Sequence, residues 1–326
     1  MDLTISIAVY NGEKYIDRCL SSIIKAYKKI NPNDIKLSIL AINDGSSDNS
    51  EKILNNYSKK YPIIKVINKK NGGLSSVRNI SIDLCESEYL WFIDVDDEID
   101  INSLLYLSKQ HLGNVNIFNY STYSHTGDFL FNNYAVTDNS LYETILDNVS
   151  LLTQNSASWH YVFNTTFLRK VNIKFLDNIL YEDLNWIIKV WPHAKNIHTF
   201  NKNIYRYYLT DNSIMRNTNL SKRMDIFKVF DDIIMYYKSR SILQQYFSEI
   251  EYLLIHNLLY VGYLSVFQID KSSSLLSLYT NYLNNYSKNW NKNVYFLKLP
   301  IKRRILLYCI KYNLKSIISI IIKLSR

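Results

Sequence analysis

The chain has 326 residues, of which 47% are hydrophobic and 21% are charged, so it has enough apolar side chains for the core of one large or two ordinary domains. Seven glycines and four prolines exclude collagen-like and linker-rich proteins, and three scattered cysteines exclude a disulfide framework or a zinc site. The net charge is +9, and the segment from Glu251 onward accounts for all of it, with eleven Lys or Arg against two acids. This basic quarter fits either nucleic acid or an anionic membrane surface.

The sequence indicates neither a membrane span nor a secretory leader. No apolar run reaches the ~18 residues that a spanning helix needs, and the residues after Met1 lack a basic leader. We therefore expect the protein in the reducing cytosol.

Strands alternate with helices in the first hundred residues. Bounded apolar runs predict strands over 3–10, 36–42, 63–67 and 89–93. Apolar residues at helical spacing predict helices over 16–30, 50–60 and 74–85. Repeated β-α-β units imply a right-handed parallel sheet, whose ligands bind at the carboxyl ends of the strands.

The rest of the chain divides by pattern near residue 215. Residues 114–208 give mixed signals, beginning with a strand-like run at 114–120. After Asn217 the pattern is helical to the end. We therefore predict an α/β domain over 1–215 and a helical region over 216–326.

Three carboxylates, those of Asp94, Asp96 and Asp97, follow the fourth predicted strand. They would repel one another if unscreened. A solvated turn tolerates them, but a divalent cation explains them better, because oxygen-only ligands suit Mg²⁺ or Mn²⁺. Asp94 and Asp96 share a side in extended geometry, so both can face one ion or one nucleotide.

Two other acidic sites have two interpretations each. Asp44, in the run NDGSSD at 43–48, either belongs to a turn or accepts a hydrogen bond from a base or ribose. Glu182 and Asp183 either stabilise a helix N-terminus or provide a general base. Because G-x-G-x-x-G and P-loop motifs are absent, a dinucleotide-dependent dehydrogenase and a P-loop NTPase are disfavoured.

Five segments resemble, in chain order, the motifs of glycosyltransferase family 2. They are SIAVYNGEKY at 6–15, NDGSSD at 43–48, NGGLSSVRN at 71–79, FIDVDD at 92–97 and ED at 182–183. The resemblance implies the α/β GT-A (nucleotide-diphospho-sugar transferase) fold, with a mostly parallel central sheet followed by a helical C-terminal region. It also implies a nucleotide-sugar-binding half over 1–113 and an acceptor-binding half over 114–215. Ala8 and Asn43 depart from the family's usual proline and acid.

The activity implied by the resemblance is inverting and metal-dependent. One sugar moves from UDP-Glc, UDP-Gal, UDP-GlcNAc or UDP-GalNAc to a hydroxyl of a polyprenyl-diphosphate-linked saccharide, in O-antigen or capsule biosynthesis. The absence of Q-x-x-R-W makes the enzyme non-processive. The alternatives are rhamnose transfer from a dTDP-sugar and an inactive glycan-binding module. Nucleic acid is not an expected partner, because the acidic cluster would not serve it.

The resemblance also implies residue roles. Asp96, with Asp94, holds Mn²⁺ or Mg²⁺, and Asp183 is the base while Glu182 orients hydroxyls, with the reverse assignment open. Trp159 stacks on the acceptor sugar or lies in the core. Arg78 contacts phosphate or pairs with the acidic cluster, and Asp44 is the expected uracil partner. The nucleotide-sugar site comprises Val9, Tyr10, Glu13, Asp44, Gly72, Gly73, Arg78, Asp94, Val95 and Asp96.

The last 26 residues, 301–326, carry seven basic residues and no acid. On one continuous helix, basic residues cluster on one side: Arg304, Lys311, Lys315 and Arg326. Apolar residues fill the other: Leu306, Ile310, Leu314, Ile317, Ile321 and Leu324. The pattern predicts a helix that lies on the inner face of the cell membrane and makes the enzyme cytoplasmic and peripheral. The alternative is packing on the protein itself or on a second subunit in a homodimer.

Overall fold

A computed structural model describes residues 1–210 and 220–324. These residues divide into two compact units. One unit comprises residues 1–148, 154–178 and 182–210, and the other comprises 149–153, 179–181 and 220–324. The first unit contains all the β-strands of the described ranges, and the second unit is largely helical.

One ten-stranded sheet forms the framework of the first unit within the described residues. Its strands are β1 (Asp2–Val9), β2 (Lys36–Asp44), β3 (Ile64–Lys69), β4 (Tyr89–Asp94), β5 (Glu98–Ile99), β6 (Val115–Tyr123), β7 (Phe129–Asn133), β8 (Ser140–Thr144), β9 (Tyr161–Asn164) and β10 (Lys195–Tyr208). The order is β3-β2-β1-β4-β9-β6-β10-β5, and β7 pairs with β6 while β8 pairs with β10. Strands β1 to β4 are mutually parallel, whereas β9 is antiparallel to both β4 and β6. The predicted mostly parallel α/β sheet is confirmed.

Helices pack on both faces of the parallel part of this sheet. The helices of the first unit are α1 (Ile16–Tyr27), α2 (Ser50–Lys60), α3 (Gly73–Leu84), α4 (Ser103–Leu107), α5 (Thr165–Val171) and α6 (Glu182–Val190). Ile16, Leu20 and Ile23 of α1 are buried in the core with alternate residues of β1, and Val77 of α3 packs on Leu40 and Ile42 of β2. Burial on both faces explains why these strands are continuous apolar runs in the sequence.

The second unit contains seven α-helices within the described residues. They are α7 (Asp225–Ser239), α8 (Phe247–Leu254), α9 (Leu264–Ile269), α10 (Leu275–Tyr286), α11 (Val294–Lys298), α12 (Ile301–Lys311) and α13 (Lys315–Leu324). A π-helix, Ile255–Tyr263, joins α8 to α9 without a break. By length and composition alone the continuous helix Leu243–Ile269 could cross a membrane. However, 61% of its most apolar 18-residue stretch is buried inside the protein, as in an ordinary core helix. Its length and composition are therefore weak evidence of a membrane span.

The prediction of one continuous helix over 301–326 is wrong. Asn313 has a left-handed backbone with φ of 54°, and it separates α12 from α13. Because a helical wheel keeps its phase only along an unbroken helix, the predicted apolar side does not exist as one surface. Leu306 and Ile310 are buried in the unit, and Arg326 lies outside the described residues.

Candidate active site

The parallel strands bring the loops that follow them to one edge of the sheet. In the pairing register Val9 of β1 lies beside Asn43 of β2, and Ala8 lies beside Asp94 of β4. Three sequence motifs that are far apart along the chain therefore meet at the carboxyl ends of adjacent strands, where α/β sheets bind ligands.

Polar contacts join the loops after β1 and β2. The Gly12 N–H donates to Ser50 Oγ at 2.9 Å, and the Glu13 N–H donates to Asp48 Oδ2 at 3.0 Å. The Glu13 carboxylate accepts from the Asn49 N–H at 2.9 Å, so its Oε2 atom organises the loops. Among the predicted nucleotide-site residues here, the Val9 side chain is in the core and the Tyr10 ring is exposed at the edge.

The Asp44 carboxylate holds the turn that begins α3. Its Oδ1 accepts from Lys69 Nζ at 2.5 Å and from the Gly72 N–H at 2.9 Å, and its Oδ2 accepts from the Gly73 N–H at 2.8 Å. Gly73 has φ of 82°, a conformation that L side chains rarely adopt. Asp44 therefore fixes the shape of the Gly72–Gly73 turn, and its contact with uracil stays a prediction.

The three carboxylates after β4 have different surroundings. Asp97 is buried, and its carboxylate accepts from the Tyr205 hydroxyl at 2.6 Å and the Tyr208 N–H at 2.7 Å. Asp96 is half-buried, and its Oδ2 accepts from the Thr210 hydroxyl at 3.0 Å. Asp97 thus ties β4 to β10, while Asp94 and Asp96 face the sheet edge.

Arg78 of α3 links the two acidic motifs. Its Nη2 lies 3.3 Å from Asp94 Oδ1, and its Nη1 lies 3.0 Å from Glu182 Oε1 and 2.5 Å from Asp183 Oδ1. Burial opposes the guanidinium charge, but Asp183, Asp94 and Glu182 outweigh it and raise the pKa of Arg78. Of the two interpretations, the structure shows the ion pair with the acids. Contact with phosphate stays a prediction.

Crowded acids perturb one another around this arginine. Burial and the neighbouring Asp183 charge raise the pKa of Glu182 to about 7, although Arg78 opposes the shift. Burial likewise raises the pKa of Asp94 to about 6. The positive charge of Arg78 lowers this pKa, whereas the negative charges of Asp96 and Asp183 raise it further. Asp183 Oδ2 also accepts from the Ser158 N–H at 3.2 Å. Carboxylates with pKa values near neutrality are suited to exchanging protons.

The donor chemistry of Asp94 and Asp96 fits a hard divalent cation. Both carry half-buried carboxylate oxygens, Asp94 as the last residue of β4 and Asp96 two residues after it. Within residues 1–210 and 220–324, no group of three or more His, Cys, Asp or Glu residues is arranged to hold an ion by itself. An ion here would therefore complete its coordination with substrate phosphates and water, as Mg²⁺ and Mn²⁺ commonly do. Because Arg78 already pairs with Asp94, Asp96 is the better ligand.

Trp159 lies in the core. It is 6% exposed and stacks on Tyr205 and Tyr207, with ring centroids 4.5 and 5.5 Å away. Its carbonyl accepts from Trp91 Nε1 at 2.9 Å. The packing favours the core interpretation of this residue, and stacking on an acceptor sugar stays a prediction.

Residues that position the acids were missed by sequence reasoning. Lys69 is the last residue of β3, and Thr210 lies two residues after β10, so the rule that site residues lie at strand ends could have found both. Tyr205 and Tyr208 lie within β10, where a tyrosine is ordinarily a core residue. No local signal separates them from the many other tyrosines.

The chain matches known glycosyltransferases in sequence. The family model described as "Glycosyl transferase family 2" matches residues 4–176. Glycosyltransferase GlyA of Streptococcus pneumoniae is 30% identical over 66% of this chain, and the match covers 31% of GlyA, so this chain spans less than a third of that protein. Poly(ribitol-phosphate) beta-glucosyltransferase of Bacillus spizizenii is 37% identical over 32% of this chain and 16% of its own length.

A solved structure shares the fold. The crystal structure of residues 1–349 of TarS from S. aureus, in complex with UDP-GlcNAc, has a TM-score of 0.69 at 17% identity. The likeness covers 98% of this chain and 90% of that one. The predicted GT-A fold is therefore confirmed.

Proposed function

The chain belongs to glycosyl transferase family 2, and we propose that it is an inverting, non-processive enzyme that moves one sugar from a UDP-sugar to a hydroxyl of a lipid-linked saccharide. The observation that carries this proposal is the Arg78 bridge. One buried guanidinium joins Asp94, on the nucleotide side, to Glu182 and Asp183, on the acceptor side. Donor and acceptor chemistry thus share one electrostatic cluster at the sheet edge.

The reaction assigns each side of the cluster a task. Asp183 takes the proton of the acceptor hydroxyl while the hydroxyl oxygen attacks the anomeric carbon of the donor sugar. The bond from that carbon to the diphosphate breaks on the opposite face of the sugar. Arg78 holds Asp183 and Glu182 in place, and the Ser158 N–H fixes the second Asp183 oxygen. A divalent cation on Asp96, with Asp94 beside it, would supply positive charge to the departing UDP.

The nucleotide pocket is proposed to lie between the loops after β1, β2 and β4. Tyr10 and Val95 are accessible to a nucleotide there. Gly72 and Gly73, held by Asp44, let the main chain approach the donor closely. The UDP-GlcNAc complex of the TarS fragment supports a nucleotide-sugar donor for a chain of this fold.

Measuring UDP release tests the proposed donor. We expect turnover with at least one of UDP-Glc, UDP-Gal, UDP-GlcNAc and UDP-GalNAc, and faster release when a polyprenyl-diphosphate-linked saccharide is added. Release of dTDP from a dTDP-rhamnose donor instead would establish the rhamnosyltransferase alternative. If neither donor turns over but glycans still bind, the chain is an inactive binding module.

We propose that α12 and α13 dock on an anionic membrane at the inner face of the cell membrane. Several apolar side chains are exposed in these two helices and the turn between them: Ile301, Ile305, Tyr312, Leu314, Ile317, Ile320 and Leu324. Six cations accompany them, Lys302, Arg303, Arg304, Lys311, Lys315 and Lys323, and no acid lies in 301–324. Apolar and cationic side chains together suit an anionic lipid interface. An acceptor on a lipid carrier would be presented at that surface.

Adding negative charge to α13 tests this docking. The double change Ile317→Glu and Ile320→Glu should release the protein from anionic liposomes, because each side chain is about half exposed, at 43% and 56%. Only Ile318 of α13 is buried, so the helix should keep its fold. Hydrolysis of UDP-sugar should be unchanged.

The matched control is Met235→Glu, at an exposed apolar residue on α7 of the same unit. It should leave liposome binding intact. If the α13 double variant still sediments with liposomes at moderate salt, α13 is not the anchor. If the double change instead converts a dimer to a monomer in solution, the apolar surface serves a second copy of the chain.

A further inference from the structure

Strands β6 and β7 extend the sheet away from the acidic cluster. Strand β10 pairs with β6 along its whole length, so β9 and β7 must share the other side of β6. Strand β9 pairs with Val115–Ile117 of β6, and β7 pairs with Tyr120–Tyr123, nearer to the carboxyl end of β6. All five residues of β7 are at least partly exposed, and β7 therefore forms an accessible strand beside the catalytic edge.

The pairing register decides which β7 side chains face the site. Phe131 lies opposite Thr122, and Thr122 lies beside Tyr207 of β10. Because paired residues point to the same face of a sheet, these three form a row, here called the Phe131 row. Tyr207 stacks on Trp159, and Tyr205, on the same face of β10, donates to Asp97. The row thus leads from the exposed Phe131, past the buried Thr122, to Tyr207 beside the acidic cluster.

A register shift turns the neighbouring phenylalanine away. Phe129 pairs with Tyr123, the residue directly after Thr122, so a bulge places Phe129 and Phe131 on opposite faces. Their exposed fractions are nearly equal, at 54% and 52%. Arg206 pairs with Ser121 and therefore lies on the face of Phe129, where Asp100 binds it at 2.9 Å.

Charge defines the ligand class. Between Lys109 and Arg169 the sequence contains no lysine or arginine, although the whole chain has 38 of them. This stretch includes β6, β7, β8 and β9, and its charged residues are acids such as Asp128 and Asp138. The Phe131 row offers the exposed Phe131 ring, the half-buried Tyr207 and the nearby Asn133 amide, which donates to the buried Thr122 Oγ1 at 2.7 Å. Aromatic faces and amide or hydroxyl groups suit sugar rings, whereas a phosphate polymer needs cations.

We propose that the Phe131 row binds the acceptor as a neutral saccharide, so that the natural acceptor is a chain of uncharged sugars and not a polyol-phosphate polymer. This inference rests on the proposed function, because it assigns the substrate class of the same site. The sugar next to the reacting hydroxyl would lie near Tyr207, and a preceding sugar would stack on Phe131.

Acceptor kinetics and direct binding test the Phe131 row. Phe131→Ala should raise the acceptor KM, and the dissociation constant for neutral tetrasaccharides, at least about fivefold. Phe131→Tyr should restore both. Phe129→Ala, the matched control on the opposite face, should change neither, and UDP-sugar hydrolysis should be unaffected in all three variants.

The probes are chitotetraose, maltotetraose, lacto-N-neotetraose and a ribitol-phosphate oligomer, with binding followed by NMR. The inference is overturned if no neutral tetrasaccharide binds at millimolar concentration, or if Phe131→Ala and Phe129→Ala behave alike. It is also overturned if the ribitol-phosphate oligomer binds preferentially and Phe131→Lys strengthens that binding. Since binding needs no donor, a chain without UDP-sugar turnover would contradict the proposed function while this measurement still decides the saccharide class.

Discussion

Replacing Asp183 with asparagine should lower kcat by ~10²-fold or more and leave the KM for UDP-sugar within about twofold. The amide has the shape of the carboxylate, and its single oxygen can keep the contact with Arg78 or the contact with the Ser158 N–H, but not both. It cannot take a proton from the acceptor hydroxyl. Steady-state kinetics with a saturating acceptor measure the effect, and calorimetric binding of UDP shows whether the donor site is intact.

The pH profile separates Asp183 from its neighbour. The pair must be ionised to accept a proton, and the pKa of Glu182 is raised to about 7. We therefore expect kcat/KM to rise with pH through about 7 and to level off above it. Glu182→Gln should shift or remove this limb and retain part of the turnover. If Glu182→Gln is inactive while Asp183→Asn keeps full turnover and the limb, the two roles are exchanged.

Chelation of divalent cations with EDTA should abolish transfer, and Asp96→Ala should lower kcat by ~10²-fold or more without changing the melting temperature. Asp96 is half-buried, and its one described side-chain partner is Thr210, so its loss costs little stability. In the proposed mechanism, the Asp96 carboxylate holds the cation that stabilises the departing diphosphate. Added Mn²⁺ or Mg²⁺ should restore the chelated wild-type enzyme but not the variant.

Asp97→Ala is the matched control, one residue further along. It should lower the melting temperature, because it leaves the buried Tyr205 hydroxyl and the Tyr208 N–H without their acceptor, at a cost of ~1–3 kcal/mol each. Full activity of the wild-type enzyme in EDTA, or equal unfolding of the Asp96 and Asp97 variants, would contradict the assignment of Asp96 to a metal.

The sequence alone was sufficient for the four parallel strands and the three helices of the first hundred residues, but not for the short strand β5, and it was sufficient for the family. Strands such as β4 are short apolar runs, and the predicted helix over 50–60 coincides with α2, Ser50–Lys60. These features are local, since the spacing of apolar residues and the turn residues indicate the backbone conformation within a few positions. The five motifs also indicated the residues of the candidate site, because each motif is a short run of neighbouring residues that can be recognised in the sequence without the fold.

Only the tertiary structure decided how those residues pair. Arg78 meets Glu182 and Asp183 across more than a hundred residues, and Asp97 differs from Asp96 because β10 happens to pack against it. The face of Phe131 depends on a bulge, and the tail breaks at Asn313 despite an unbroken apolar pattern. Such outcomes depend on strand register, packing and local backbone conformation, in which distant segments compete for the same space. A sequence pattern records the preference of each segment but not the partner that the fold supplies.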